Sequence, residues 1–387
     1  MQFAERMDRL GTESAFEVLA RAKALEAQGR DIIHLEIGEP DFATPAHIVE
    51  AAVQALRAGH THYTSATGIP ELRKSIAQHI SRSRGVEVSH EQVVVTPGAK
   101  PIMFFTMLAL LEPGDEAIYP NPGFPIYESM IKFVGATPVP LPLREDQGFR
   151  FDADEFRSLV SDRTRLIILN SPHNPTGGVL TRQDLEVVAE AARERGITVL
   201  SDEVYESILY EGEHDSIISL PGMTAHTILL DGFSKTYAMT GWRLGYGVVP
   251  PELTTQFFRL IVNSNSCTAA FTQMAGIAAL EGPRDATQDM VTAFRARRDL
   301  IVEGLNQVPG FRCAWPAGAF YVFPNVQGTG MSSKEVADYL LHTAGVAALN
   351  GGGFGRYGEG YLRFSYANSI ENINRALDRI DQAMASL

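Results

Sequence analysis

Residues 165–201 read RLIILNSPHNPTGGVLTRQDLEVVAEAARERGITVLS. Arg165–Leu169 and Thr198–Ser201 are short, β-branched or leucine-rich runs, as buried strands require. Between them Thr181–Arg195 carries a helical apolar period and stops at Arg195-Gly196. Strand, helix, strand at this spacing implies a right-handed crossover between parallel strands. The same alternation extends outward, with further strands expected at Gln92–Thr96, Glu116–Tyr119, Thr227–Leu230 and Leu244–Val249. The fold class is therefore α/β, a large unit built on a mostly parallel sheet with helices on both faces. From about Pro283 the order changes. A charged helix, Asp285–Leu305, precedes strands at Ala319–Pro324 and Gly360–Tyr366 and helices at Ser333–Thr343 and Ile370–Ser386, a smaller α+β arrangement. Near the start, Ser14–Gln28 reads as an amphipathic helix with Phe16, Leu19, Ala20, Lys23 and Ala24 on one stripe and Gly29 as its stop. The expected division is an N-terminal arm and helix over 1–40 packing with the small domain, a large domain over 41–282 and a small C-terminal domain over 283–387.

The chain has 387 residues, with 33 Lys plus Arg against 46 Asp plus Glu, a net charge of −13. Nucleic acids and anionic membranes demand a basic face, so neither is an expected partner. The two cysteines, Cys267 and Cys313, are too few for a disulfide scaffold or a thiolate metal site. Met1–Arg30 lacks the apolar core of a signal peptide, and Pro101–Leu111 is too short to span a bilayer. A soluble, cytoplasmic protein is expected.

In open α/β sheets, ligands bind beyond the carboxyl ends of the strands. Pro97-Gly98-Ala99-Lys100 follows Gln92–Thr96 and opens an apolar helix, a turn whose backbone N–H groups suit a phosphate. Asn170 through Gly178 follows Arg165–Leu169, and Asp202-Glu203-Val204-Tyr205 follows Thr198–Ser201. Asp231-Gly232-Phe233-Ser234-Lys235, then Thr240-Gly241-Trp242-Arg243, follow Thr227–Leu230. Phosphate-binding N–H groups, a carboxylate, a phenol, an amide, an amine and a guanidinium thus meet on one rim, with no metal-ligand cluster. Gly353–Gly358 spells G-x-G-x-x-G, but a strand rather than a helix follows it, so it reads as a flexible loop near the entrance. His60 and His62 lack a third ligand for zinc. No G-x-S-x-G elbow is present, which disfavours a serine hydrolase.

This inventory resembles the class I aminotransferases among the fold-type I pyridoxal-phosphate enzymes, including bacterial aspartate and broad-specificity aminotransferases. Gly232 through Gly245 fits their Schiff-base lysine signature. Ile37-Gly38-Glu39-Pro40-Asp41, Tyr63 through Gly68, Ser171 through Gly177 and Tyr361-Leu362-Arg363-Phe364-Ser365 follow the family's other motifs, so the resemblance runs from about Ile33 to Ser386. It implies that Lys235 bonds the cofactor and then shuttles the proton, and that Asp202 pairs the pyridinium nitrogen. Tyr205 and Asn174 would donate to the cofactor's phenolate oxygen, and Phe124 would stack on the ring, where the family often has Trp or Tyr. Arg243 and Ser234, with Gly98, Ala99 and Lys100 of the turn, would hold the phosphate. Arg363, helped by Asn174 and the Gly38 backbone, would grip the substrate carboxylate. Tyr63 would reach the neighbouring subunit's phosphate, making the active unit a homodimer. Asn121–Pro122 and Asn174–Pro175 match positions of cis peptides.

The expected reaction moves an amino group between an L-amino acid and a 2-oxo acid. C–S lyases of the same fold are the enzymatic alternative, set against by Met239 through Arg243, which looks like the transaminase branch. A non-catalytic regulator would join a basic winged-helix reader to this fold, and −13 fits DNA poorly. Lys100 resembles a lysine that some bacterial aspartate aminotransferases use for the distal carboxylate, which favours aspartate or glutamate. Ser14-Ala15-Phe16-Glu17 departs from the small hydroxyl residues those enzymes place nearby. Phe16 and Glu17 would instead suit apolar, aromatic or cationic side chains.

Overall fold

In the computed structural model, which describes residues 1–386, the apolar runs assemble into a seven-stranded sheet. Its order is Val93–Thr96, Gly245–Val248, Thr227–Gly232, Thr198–Asp202, Thr164–Asn170, Glu116–Asn121 and Thr137–Pro142. Gly245–Val248 runs antiparallel to both neighbours, and every other pairing is parallel. Because side chains alternate across a strand, Leu166 and Ile168 enter one cluster with Phe105 and Tyr127. Ile167 and Leu169 enter another with Val188, Ala189 and Ala192 of the crossover helix Arg182–Arg195. Thr181 caps that helix reciprocally with Asp184, and Gly196, at φ +66°, ends it.

One strand escapes the sequence pattern. Thr137–Pro142 carries Pro138, Pro140 and Pro142 and lies at the edge of the sheet. Prolines at every second residue place their missing donors on one side of the strand, which an edge position tolerates. The other strands form where expected, within one or two residues at each end. Gln92 is the exception in kind, since His90–Gln92 is a 3-10 turn capped by Ser89.

After Asp285–Leu305, a three-stranded antiparallel sheet is ordered Leu349–Asn350, Leu362–Ser365, Tyr321–Val322. The last two are shorter than the expected Gly360–Tyr366 and Ala319–Pro324. The helix Ile370–Met384 lies along Asp285–Leu305, and Ser333–Tyr339 continues as a π turn over Leu340–Ala344. Ile33–His34 pairs in parallel with Val346–Ala347. Ile33 and Leu35 are thereby buried with Phe294, Tyr321 and Phe364.

The N-terminal helix spans Ser14–Glu26, two residues short of Gln28, and turns a different face inward from the expected one. Val18 and Ala22 are buried, flanked by Ala15 and Leu25, whereas Phe16 is 65% exposed. Positions 15, 18, 22 and 25 alternate steps of three and four, the true helical stripe, and the bulk of Phe16 biased the other reading. Among the described residues no helix is long and apolar enough to cross a membrane.

Candidate functional site

At the carboxyl edge of the large sheet lies a cavity of about 480 Å³, lined by residues from each of the segments that follow its strand ends and by Gly38, Glu39 and Arg363. Thr198–Asp202 delivers the Asp202 carboxylate to its floor. Tyr127 Oη donates to Asp202 Oδ2 at 2.6 Å, and the Val204 amide approaches Oδ1 at 3.4 Å. Burial pushes the Asp202 pKa up to about 6, opposed by the Tyr127 hydrogen bond. No ion pair satisfies this carboxylate among the described residues, so the floor holds a buried acid without a cation.

Lys235 enters from the turn after Thr227–Gly232. Its Nζ donates to the Gly38 carbonyl at 2.5 Å and lies 5.8 Å from the ring centre of Tyr205 and 5.7 Å from that of Phe320. Burial first, then the charge of Arg363, lowers its ammonium to about 8. Roughly a tenth of this amine is therefore neutral at pH 7, far more than for an ordinary lysine. Tyr205 Oη shares a 2.7 Å hydrogen bond with Tyr321 Oη, and burial raises its phenol well above the usual range.

Arg363, on Leu362–Ser365, is buried under the mouth. One terminal nitrogen donates to Asn174 Oδ1 at 3.1 Å, and the other to the Glu36 carbonyl at 2.5 Å. Its guanidinium lies 4.6 Å from the ring of Tyr321 and 5.1 Å from that of Phe354, while Nε has no partner. Asn174 is positioned in turn by Asn170, whose Oδ1 accepts its backbone N–H at 2.9 Å. Asn121–Pro122 and Asn174–Pro175 are both cis, as is Ser171–Pro172.

The remaining wall is an anion cradle. Ala99, Ser234 and Arg243 line it at the start of the helix Lys100–Leu110. Gly98 adopts φ +85°, and a Cβ there would sit 2.2 Å from an Arg243 guanidinium nitrogen. A Cβ on Gly245 would lie 2.4 Å from the Ala99 amide nitrogen. Both glycines thus keep the guanidinium and the amides close enough to share one anion. Phe124 forms a side wall, edge-on to Tyr127 at 5.7 Å, with Lys100 Nζ 5.4 Å from its ring centre. Lys100 is ion-paired to Glu13.

Eleven of the expected residues therefore line one cavity: Gly38, Ala99, Lys100, Phe124, Asn174, Asp202, Tyr205, Ser234, Lys235, Arg243 and Arg363. Gly98 borders it through Arg243. Tyr63 does not reach it; the side chain is 91% exposed on the loop between the helices Ala46–Arg57 and Pro70–Arg84. Glu17 is also outside, accepting from Thr12, whereas Phe16 and Glu13 are inside. The glycine-rich loop is not loose: it makes two 3-10 turns, and Phe354 is buried beneath Arg363. His60 and His62 are exposed, and no cluster of metal ligands occurs among the described residues. Tyr127, Asn170, Tyr321 and Glu13 had not been singled out. Tyr127 and Tyr321 resemble ordinary core aromatics in sequence, and Glu13 differs from its acidic neighbours only once the chain is folded.

The profile of the family "Aminotransferase class I and II" matches residues 30–380. An aspartate aminotransferase of Pyrococcus horikoshii is 41% identical over 384 residues, 98% of this chain and 97% of that protein. An arginine–pyruvate transaminase of Pseudomonas aeruginosa is 39% identical, covering 100% of this chain and 99% of its own length. The solved structure of an aspartate aminotransferase from Thermus thermophilus with maleate superposes at a TM-score of 0.95 with 36% identity, over 99% of this chain and 100% of that one.

Proposed function

The chain belongs to the class I and II aminotransferases, and from that premise we propose that the cavity transfers the amino group of an acidic L-amino acid, aspartate or glutamate, to a 2-oxo acid. It is a pyridoxal-phosphate-dependent transaminase. The residues fit that cofactor: a glycine-kept cradle for a phosphate, an amine at the centre, an aromatic wall and a buried carboxylate lacking a cation. The observation that carries the acidic-substrate proposal is the Lys100 side chain, which lines the same cavity as Lys235 and Arg363 from the first position of the helix Lys100–Leu110. When bound, pyridoxal phosphate supplies the carbonyl that accepts nitrogen and a conjugated ring that takes up the electron pair released at the substrate's Cα.

On this reading Arg243, Ser234 and the amides of Ala99 and Lys100, in the turn begun by Gly98, hold the phosphate. Phe124 would stack on the ring, and Asp202, paired with a cationic ring nitrogen, would hold a proton there. Tyr205 and Asn174 donate to the ring oxygen. Arg363 binds the substrate α-carboxylate with its planar fork and orients the Cα–H bond, assisted by Asn174 and the Gly38 backbone. Lys235, as its neutral amine, would take the Cα proton and later return it to carbon. The buried Tyr205, Phe320 and Tyr321 exclude water around Nζ. Lys100, at the mouth, is the remaining cation for a distal carboxylate.

Tyr63, exposed and remote from its own cavity, supports the reading that it completes the site of a second subunit, so the proposed assembly is a cytoplasmic homodimer. The proposed division is an arm over 1–40, a large domain over 41–282 and a small domain over 283–387, consistent with Ile33 and Leu35 lying in the same core as Phe294 and Phe364. A panel of amino donors against 2-oxoglutarate, oxaloacetate and pyruvate tests the function. Aspartate and glutamate should exceed alanine, phenylalanine and arginine in kcat/KM, and the opposite order would refute the substrate class.

A further inference from the structure

Once the cofactor, the α-carboxylate and the distal carboxylate are assigned their partners, one charge in the cavity has no role: Glu13, which is ion-paired to Lys100. Lys100 stands at the first position of a helix fixed in the core by Ile102, Met103 and Phe105. Glu13 follows an exposed stretch of chain. Residues 1–12 are all exposed, and the segment is tied down beside the site through Gly11, whose amide donates to Ser129 Oγ at 2.8 Å. Glu13 precedes the helix Ser14–Glu26 yet makes no capping bond to it. Its carboxylate turns instead into the cavity, where its side chain is only 18% exposed, to meet the Lys100 ammonium. Its charge also bears on Lys235 and Arg363, favouring their protonated forms.

We propose that Glu13 is a built-in stand-in for the substrate's distal carboxylate, holding Lys100 in the empty site and giving way when a dicarboxylic substrate enters. The inference rests on the acidic-substrate reading above. A dicarboxylate exchanges one carboxylate for another on the fixed cation, and the displaced Glu13 side chain regains water beside an exposed segment. A cationic side chain would have to be gripped by Glu13, leaving Lys100 beside it as a like charge. A neutral side chain leaves the pair closed. Glu13 is thus a specificity-determining residue that sets how much a dicarboxylate must displace.

A half-exposed ion pair is a weak competitor, so the expected effects are modest. In the holoenzyme, Glu13→Gln should tighten succinate binding, measured calorimetrically, by about two- to fivefold. Butyrate, which cannot reach Lys100, should gain less, and the kcat/KM ratio of aspartate to alanine should rise by the same factor. Adding Lys100→Gln should cancel the succinate gain. Hydrogen exchange at the Gly11–Ala15 amides should quicken with succinate in the wild type and not with butyrate. Succinate affinity unmoved or weakened in Glu13→Gln, or loss of arginine turnover in that variant, would overturn the proposal. A wild type that prefers alanine to aspartate would instead refute the substrate class, because the succinate titration reads the Glu13–Lys100 exchange without turnover.

Discussion

Arg363→Ala separates substrate grip from cofactor grip. The guanidinium is 5% exposed, spends its two terminal nitrogens on Asn174 Oδ1 and the Glu36 carbonyl, and leaves Nε without a partner. A substrate carboxylate arriving there meets a desolvated, oriented cation. Removing one side of such a buried pair costs about 2–5 kcal/mol, equivalent to roughly a thirty- to several-thousand-fold loss in kcat/KM. The loss should fall on the amino-acid half-reaction. By stopped flow, the variant should stay yellow and bind pyridoxal phosphate normally, yet need far higher amino-acid concentration to bleach. Arg363→Lys, which keeps charge but not the fork, should fall between. Thermal melts separate this from misfolding, since stranding the Asn174 and Glu36 acceptors costs about 1–3 kcal/mol in stability. A variant that loses cofactor while its apparent amino-acid affinity stays normal would refute the assignment.

Lys235→Ala removes the amine at the centre of the cavity. It should abolish nearly all turnover while still retaining cofactor through the cradle, checked by equilibrium dialysis; wild-type turnover would defeat the mechanism. For Asp202 the sign runs opposite to a usual carboxylate. Its folded pKa, about 6, lies above the ordinary 3.8 of an aspartate, so in cofactor-free protein its contribution to stability declines as pH rises between those values, by up to roughly 3 kcal/mol. Cofactor-free Asp202→Asn should therefore melt higher than wild type at pH 7.5, with the gain fading by pH 4, and should bind cofactor less tightly. The reverse pH trend in melting would contradict it. Arg84→Met strands Glu203, which is fully buried against it at 2.9 Å. Denaturant titration should show a loss of about 3–5 kcal/mol, and a loss under 1 kcal/mol would count against that network as a structural element.

The sheet was legible because its strands are continuous apolar runs and its crossovers carry caps and glycine stops. Thr137–Pro142 was not, because three prolines mimic a loop and only an edge position reconciles them with a strand. The rim of the site was legible for the same reason as the sheet: Lys235, Asp202 and Asn174 each follow a strand end closely. Arg363 depended on resemblance, and the partners that orient these residues were hidden. Nothing local distinguishes Tyr127, which holds Asp202, from any tyrosine on the buried face of a helix. Glu13 and Glu17 are equivalent in sequence and, four apart, would share a face of one continuous helix; the helix begins only at Ser14, and the extended backbone at Glu13 is what lets its carboxylate enter the cavity while Glu17 meets solvent.

Asp202 and Glu203 show how far adjacency can mislead. They are consecutive carboxylates at one strand end, both buried, and composition treats them alike. Alternation sends them to opposite sides. Glu203 meets Arg84, His214, Ser201 and Ser216, and although burial alone would raise it, Arg84 first and His214 next lower it to about 2. Asp202 meets a phenol and a backbone amide but no cation, so burial prevails and raises it to about 6. Glu203 has its counter-charge within the chain and serves the fold. Asp202 lacks one in the chain alone, and a protonated ring nitrogen is what would complete it. On the proposed roles, the same polypeptide step separates a structural acid from one left to pair with a bound cofactor, and the difference lies in whether the cation is encoded in the sequence or must be bound.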